Sequence, residues 1–160
     1  MKEFGSDADA TDRSEWYRKI SIPELKADFD AFVERQKSHA RGENLPEGYV
    51  PDSEFWLVDG KEYIGRINIR HRLTEHLEKN GGHIGYDIRP SQRGKGYGNL
   101  ILKLGLEKAK EIDISRVLLI CNEDNSASRK VIEKNGGTYA DSVPNIETGI
   151  NKLRFWIEKE

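Results

Sequence analysis

Apolar and polar positions along the chain alternate between two periods. Leu25, Phe29, Phe32 and Val33 recur at i, i+4, i+7 and i+8, the stripe of an amphipathic helix. Ser21-Ile22-Pro23-Glu24 before them reads as a capping box with an early proline. From Arg41 to Ser53 glycines and two prolines stand among polar residues, which predicts a loop. Glu54-Phe55-Trp56-Leu57-Val58, then Asp59-Gly60, then Glu62 to Arg70 predict a β-hairpin closed by a tight turn. His71 to Asn80 carries Leu73 and Leu77 at i, i+4 and predicts a short helix ending at Gly81-Gly82. His83 to Ile88 reads as a strand. Leu100, Ile101 and Leu104, with Leu102, Leu106 and Ala109, form an apolar arc wide enough for a helix lying on a sheet. Arg116 to Cys121 is the next strand, Ser128 to Asn135 a helix stopped by Gly136-Gly137, and Lys152 to Ile157 a closing strand. This order predicts an α/β domain of three layers around a mixed sheet.

Composition narrows the class. A chain of 160 residues fits one domain, residues 1–160, with enough length for a core; the polar, acidic stretch 1–12 reads as a frayed end or an expression remnant. Lys and Arg number 26 against 28 Asp and Glu, a net charge of −2, so no global basic field points to nucleic acid. The single cysteine, Cys121, excludes an internal disulfide, and its apolar strand setting predicts a buried thiol. No apolar run reaches membrane-spanning length and no signal-peptide core is present, so the expectation is a cytoplasmic protein with no membrane partner. No metal-ligand spacing stands out.

The most informative stretch is Gly85-Tyr86-Asp87-Ile88-Arg89-Pro90-Ser91-Gln92-Arg93-Gly94-Lys95-Gly96-Tyr97-Gly98, running into Asn99-Leu100-Ile101. A strand stops at a proline, a basic loop with alternating glycines follows, and a helix begins. Helix N-termini leave N–H groups without intrahelical partners and carry partial positive charge, so they attract phosphates. Glycines at 94, 96 and 98 allow φ > 0 and close approach of an anion to the amides. A Walker loop is excluded, because no Lys-Ser or Lys-Thr pair closes the loop. The G-x-G-x-G spacing also fits the dinucleotide fingerprint poorly. A solvated strand-to-helix turn without a ligand is the alternative.

With its neighbours, the loop resembles the GNAT superfamily of acyl-CoA-dependent N-acetyltransferases. Arg93-Gly94-Lys95-Gly96-Tyr97-Gly98 is similar to the family's R/Q-x-x-G-x-G/A signature, Asn122 to Ser128 to its N-x-x-S helix start, and Val131 to Gly137 to its helix exit. The resemblance spans roughly residues 83–137 and implies a GNAT-like three-layer α/β/α domain with a mixed, largely antiparallel central sheet. It implies acetyl-CoA as co-substrate, an amine as acceptor and no metal; homodimers are common in the family.

The resemblance also assigns roles. Amides from Arg93, Gly94, Lys95, Gly96, Tyr97 and Gly98 would surround the pyrophosphate, with Asn99 opening the helix beneath. Arg89 and Lys95 would add ionic contacts or remain solvated. Tyr86, Asp87 and Ile88 match the end of the strand that splays from its neighbour and receives the pantetheine arm. Asn125 matches a pantetheine contact and is equally a helix cap, and Ser128 one turn on would face the sulfur or be an ordinary helix-surface serine. Many relatives place a tyrosine acid where this chain has Ile132, so that mechanism does not transfer. A thiolate is a tolerable leaving group, with a thiol pKa of about 8.5, so Ser128, a water or no acid suffices. Tyr139 is nearby in sequence only. For the base, His83 comes first, because it opens the strand beside the cofactor and imidazole titrates nearest neutrality; a polar strand-start residue is its bland alternative. Asp87 and Glu62 are the carboxylate alternatives and His71 a further one. Arg154 and Trp156 are candidates to line the acceptor site, with a core role the alternative for Trp156.

The expected activity is N-acetyl transfer to a primary amine of a small molecule or protein, by direct attack in a ternary complex. An acyl-CoA-binding sensor without turnover is the alternative, motivated by Ile132 and the lack of an unmistakable base. A basic-loop peptide- or nucleic-acid-binding module is a third reading, opposed by the charge balance and by the lack of interleaved surface aromatics.

Overall fold

In the computed structural model, which describes residues 26–158, charge and apolarity segregate onto opposite faces of the strands. Helix α1 (Phe29–Ala40) starts at Asp28, whose carboxylate accepts from the Ala31 amide at 2.9 Å. The capping box expected at Ser21–Glu24 lies outside the described residues. Strands β1 (Asp52–Asp59) and β2 (Glu62–Arg70) form the expected hairpin, with Gly60 at φ 58° in its turn. β1 starts inside the segment expected to be loop. The ladder skips Ile64, because Leu57 faces Gly65 and Val58 faces Tyr63, and this bulge lets the Ile64 carbonyl accept from the Arg89 amide at 2.9 Å. Helix α2 (Glu75–Asn80), capped by Thr74, precedes β3 (Ile84–Ile88), which pairs antiparallel with β2.

A 3₁₀ turn at Pro90–Gln92 leads through the glycine loop into α3 (Tyr97–Glu111), followed by β4 (Arg116–Asn122) and α4 (Ser126–Lys134). Strand β5 (Thr138–Val143) was not expected from the sequence. It is an edge strand, so its burial is too shallow to leave an alternating apolar signature. β6 (Lys152–Glu158) lies between β4 and β5 and is antiparallel to both. The central layer therefore consists of two antiparallel three-stranded sheets, β1-β2-β3 and β4-β6-β5.

The core lies between these sheets and the pair α3 and α4. Ile67, Ile69, Ile84, Val117, Leu119 and Phe155 meet Ile101, Leu102, Leu106 and Ile132 there. Gly105 lets α3 approach so closely that a Cβ would stand 2.1 Å from Ile67 Cδ1. Leu100 and Leu104, placed by the sequence within the apolar arc, are exposed, so the buried stripe is narrower than expected. α1 covers the opposite face, with the rings of Phe29 and Phe32 on Trp56 at 5.8 and 5.9 Å. Helices on both faces make three layers. No helix among the described residues is long and apolar enough to cross a membrane. Cys121 is buried in the core, as its strand setting predicts.

Candidate functional site

The glycine loop is an open nest of backbone donors. Gly94 and Gly96 have φ of 74° and 88°, in the left-handed region that favours glycine, and no atom lies within 4 Å of a Cβ added at either. Gly98 differs from the sequence expectation. Its φ is not positive, and it is small because its Cβ would meet Val131 Cγ2 at 3.2 Å. Gly96 occupies the cap position of α3 without a side-chain cap. Consequently the amides of residues 94–98 have no hydrogen-bond acceptor among the described residues. Asn99, in the first turn of α3, has a buried Oδ1 without a partner. Five unpaired amides at a helix N-terminus, an orphaned polar atom and open space fit a pyrophosphate group.

A side-chain chain braces this loop. Glu62 Oε1 accepts from Arg89 Nη1 at 3.1 Å and from Gln92 Nε2 at 2.9 Å, and Gln92 Oε1 accepts from Lys95 Nζ at 2.9 Å. Arg93 Nε donates to the Ile88 carbonyl at 3.0 Å. Glu62, a base candidate by sequence, is thus engaged with Arg89 and Gln92 at the foot of the loop. Arg89 and Lys95 both stand at the loop, tied into the same chain.

The gap itself lies between β3 and β4. Their sheets join at His83 and Leu118: the His83 amide donates to Leu118 O at 2.7 Å, and the Leu118 amide donates to His83 Nδ1 at 2.9 Å. Among the described residues no ladder joins the two strands beyond His83, and Tyr86, Asp87 and Ile88 border the opening. The same geometry weakens His83 as a base. Its Nδ1 lone pair is committed to Leu118, which puts the proton of the neutral ring on Nε2 and leaves no free lone pair. Burial, followed by the Arg70 charge, holds its pKa below the ordinary 6.5.

Successive β3 side chains point to opposite faces. Tyr86 turns toward α4, its Oη 3.1 Å from Ser128 Oγ. Ser128 is buried, and its amide donates to Asn125 Oδ1 at 2.9 Å, so Asn125 caps α4. Ile132 sits 1% exposed in the core and offers no proton. On the other face Asp87 meets Arg66 Nη2 at 3.3 Å, while Arg66 Nη1 contacts Glu54 Oε2 at 3.0 Å. Trp56 Nε1 donates to Glu54 Oε1 at 2.8 Å. The side chains of Glu54, Arg66 and Asp87 are 2, 9 and 17% exposed. Burial raises the Glu54 carboxyl above its usual range against the pull of Arg66. A cavity of about 360 Å3 lies beside Glu54, walled by Phe29, Phe32 and Trp56.

Glu54 and Arg66 had no place in the sequence expectations. The available signal was the hairpin register, which sets Trp56 opposite Arg66 and Glu54 diagonal to it on one face. His71 is elsewhere, its Nε2 2.9 Å from Ser53 Oγ at the far end of the hairpin. Arg154 is held by Asp141 and by Glu78 O. Trp156 lies under the Arg116 guanidinium at 4.2 Å, with its ring 6.4 Å from that of His83. Tyr139 is half exposed against Phe155 and does not reach the gap.

Known structures share this architecture. YncA of Salmonella typhimurium, solved with its cofactor acetyl-CoA, aligns with a TM-score of 0.59 at 12% identity, over 80% of this chain and 70% of that one. The Salmonella typhimurium acetyltransferase that modifies the N-terminal serine of ribosomal protein L7/L12 aligns at 0.60 and 20% identity, over 88% and 77%. A spermidine N-acetyltransferase variant of Vibrio cholerae aligns at 0.57 and 14%, over 81% and 75%. No curated protein matches the sequence significantly. The family model of the acetyltransferase (GNAT) domain matches residues 3–138. With most of the chain inside that match, and with the glycine loop and parted strands in place, the protein belongs to the GNAT family of acyl-CoA-dependent N-acetyltransferases.

Proposed function

We propose that this protein transfers the acetyl group of acetyl-CoA to a primary amine by direct attack in a ternary complex. The carrying observation is the nest of unpaired amides at residues 94–98, which follows the C-terminal end of β3, at the far end of the opening from the His83–Leu118 junction. The nest would hold the pyrophosphate, with Lys95 and Arg89 beside it, and the edge of β3 from Tyr86 to Ile88 that faces the opening would take the pantetheine amides as an added strand. Asn125, its Oδ1 used as a cap, keeps its Nδ2 donor for the same arm. Holding both reactants in attack geometry supplies much of the rate, about 7–11 kcal/mol in favourable cases.

In the chemical step the amine nitrogen bonds the acetyl carbon and the carbon–sulfur bond breaks. An alkylammonium with a pKa near 10 must first lose a proton. Asp87 is the base that the geometry favours, acting directly or through a water. Its side chain lies on the β3 face turned away from α4, in an ion pair with Arg66, whereas His83 Nδ1 is engaged by the Leu118 amide and Glu62 by Arg89 and Gln92. Ser128, across the gap on α4, is the donor to the departing sulfur. On the sheet face that carries Asp87, the acids Asp52, Glu54 and Asp87 stand against Arg66 and Arg70, an acidic excess of one that favours a cationic amine. A protein α-amine and a polyamine, the acceptors named for two of the similar structures, both meet that description.

Calorimetric titration with acetyl-CoA, followed by thiol release against a panel of amines, tests this reading. Binding with amine-dependent thiol release is the expected result. Binding without release on any amine favours the sensor reading that Ile132 motivates, and absence of binding removes both.

A further inference from the structure

The face of β3 opposite Asp87 carries a hydroxyl pair whose second member has no role in the steps above. The Tyr86 ring packs against the core, and its Oη lies 3.1 Å from Ser128 Oγ and 3.5 Å from Ser128 O. Ser128 is held from the other side by the Asn125 cap. One turn along α4, Ile132 closes the wall with hydrocarbon. Tyr86 stands three residues beyond His83, where the two sheets part, about 10 Å along the strand. The glycine loop lies at the other end of the same opening, so a donor anchored there extends past Ile88 toward Tyr86.

We propose that Tyr86 is a proton-relay residue acting through Ser128 to protonate the leaving sulfur. The inference rests on the transferase reading. An aliphatic hydroxyl alone is a weak acid, and an alkoxide at this buried position would be costly. A phenol, with an ordinary pKa of about 10, is a far better place for the charge. When Tyr86 Oη–H donates to Ser128 Oγ, the serine proton is free to point into the gap. The Ser128 O–H bond then breaks as an S–H bond forms, and Ser128 regains its proton from Tyr86. The phenolate left on Tyr86 is reprotonated by water after the thiol departs. Acid and base thus come from adjacent residues on opposite faces of one strand, Tyr86 toward the leaving group and Asp87 toward the amine.

The test compares wild-type protein with Tyr86→Phe, which keeps the ring and removes the hydroxyl. Expected are unchanged CoA affinity by calorimetry, a kcat lowered about 10-fold, and loss of the alkaline limb of the kcat–pH profile. A readout independent of turnover is the ionisation of the bound CoA thiol, followed by thiolate absorbance. Its pKa should rise by about one unit in Tyr86→Phe, because the donor to the thiolate is weakened. In a Ser128→Ala background the same tyrosine change should have no further effect.

An unchanged thiol pKa and an unchanged pH profile would overturn the relay and leave Tyr86 as a wall of the site. So would an effect that persists undiminished in Ser128→Ala. Wild-type protein that fails to bind CoA would instead remove the transferase reading, and the relay with it. Should Tyr86→Phe fold poorly, the thiol pKa in Ser128→Ala decides alone, since no shift there leaves the relay without its carrier.

Discussion

At the scale of single residues, the site divides by which lone pairs and protons are already engaged. His83 illustrates this best. Sequence placed an imidazole at the start of the right strand, but only the fold shows the Leu118 amide donating to its Nδ1. Protonating that nitrogen would set two N–H groups against each other. Burial, followed by the Arg70 charge, holds the folded pKa below 6.5, so between the two values the unfolded chain binds more protons. The stabilisation from neutral His83 is present above pH 6.5 and is lost as the pH falls through the folded value. His83→Gln retains an acceptor without titrating, so its melting temperature should fall less between pH 7.5 and 5.5 than that of the wild type. An equal fall in both proteins would refute this account. Asp87→Asn tests the proposed base directly. Turnover should drop about 100-fold with CoA affinity unchanged, because an amide keeps the shape and loses the basicity; steady-state kinetics beside calorimetry separates the two.

Elements show how far local chemistry dictates local structure. The strand–loop–helix from residue 84 to 111 follows from Pro90, the glycines and the apolar stripe of α3, and most of it was legible in advance. What the glycines do was less legible, since Gly98 serves contact with Val131 and not a positive φ. The bracing of the loop was not legible at all. Glu62 and Gln92 are 30 residues apart and meet only because β2 and β3 pair. In the proposed reading Glu62 positions the loop through its bonds to Arg89 and Gln92, so Glu62→Ala should raise the Kd for CoA about 3- to 10-fold while kcat and its pH profile stay unchanged. A collapse of kcat instead would restore Glu62 as a base. β5 was missed for the opposite reason: an exposed edge strand is held by its ladder to β6, and its side chains carry little of that pattern.

For the molecule as a whole, the decisive feature is the hydrogen-bonded junction of the two sheets at His83 and Leu118. Gly82 sits at it, with φ 67° and a prospective Cβ 2.6 Å from Leu118 O. Gly82→Ala should destabilise the protein by about 2 kcal/mol, from left-handed strain and displacement of β4, and urea unfolding measures it. Stability unchanged by that substitution would mean that the junction tolerates movement. The sequence by itself determined what depends on neighbours in the chain: helix and strand periods, the anion-ready loop, the α/β class and the family resemblance. Only the tertiary structure decided what depends on distant partners: the point where β3 leaves β4, the Glu54–Arg66–Asp87 network, and the pairing of Tyr86 with Ser128. Period and turn chemistry act over a few residues. A base, a proton donor and their partners are defined by angstrom-scale contacts between strands and helices up to 42 residues apart, which the folded chain alone brings together.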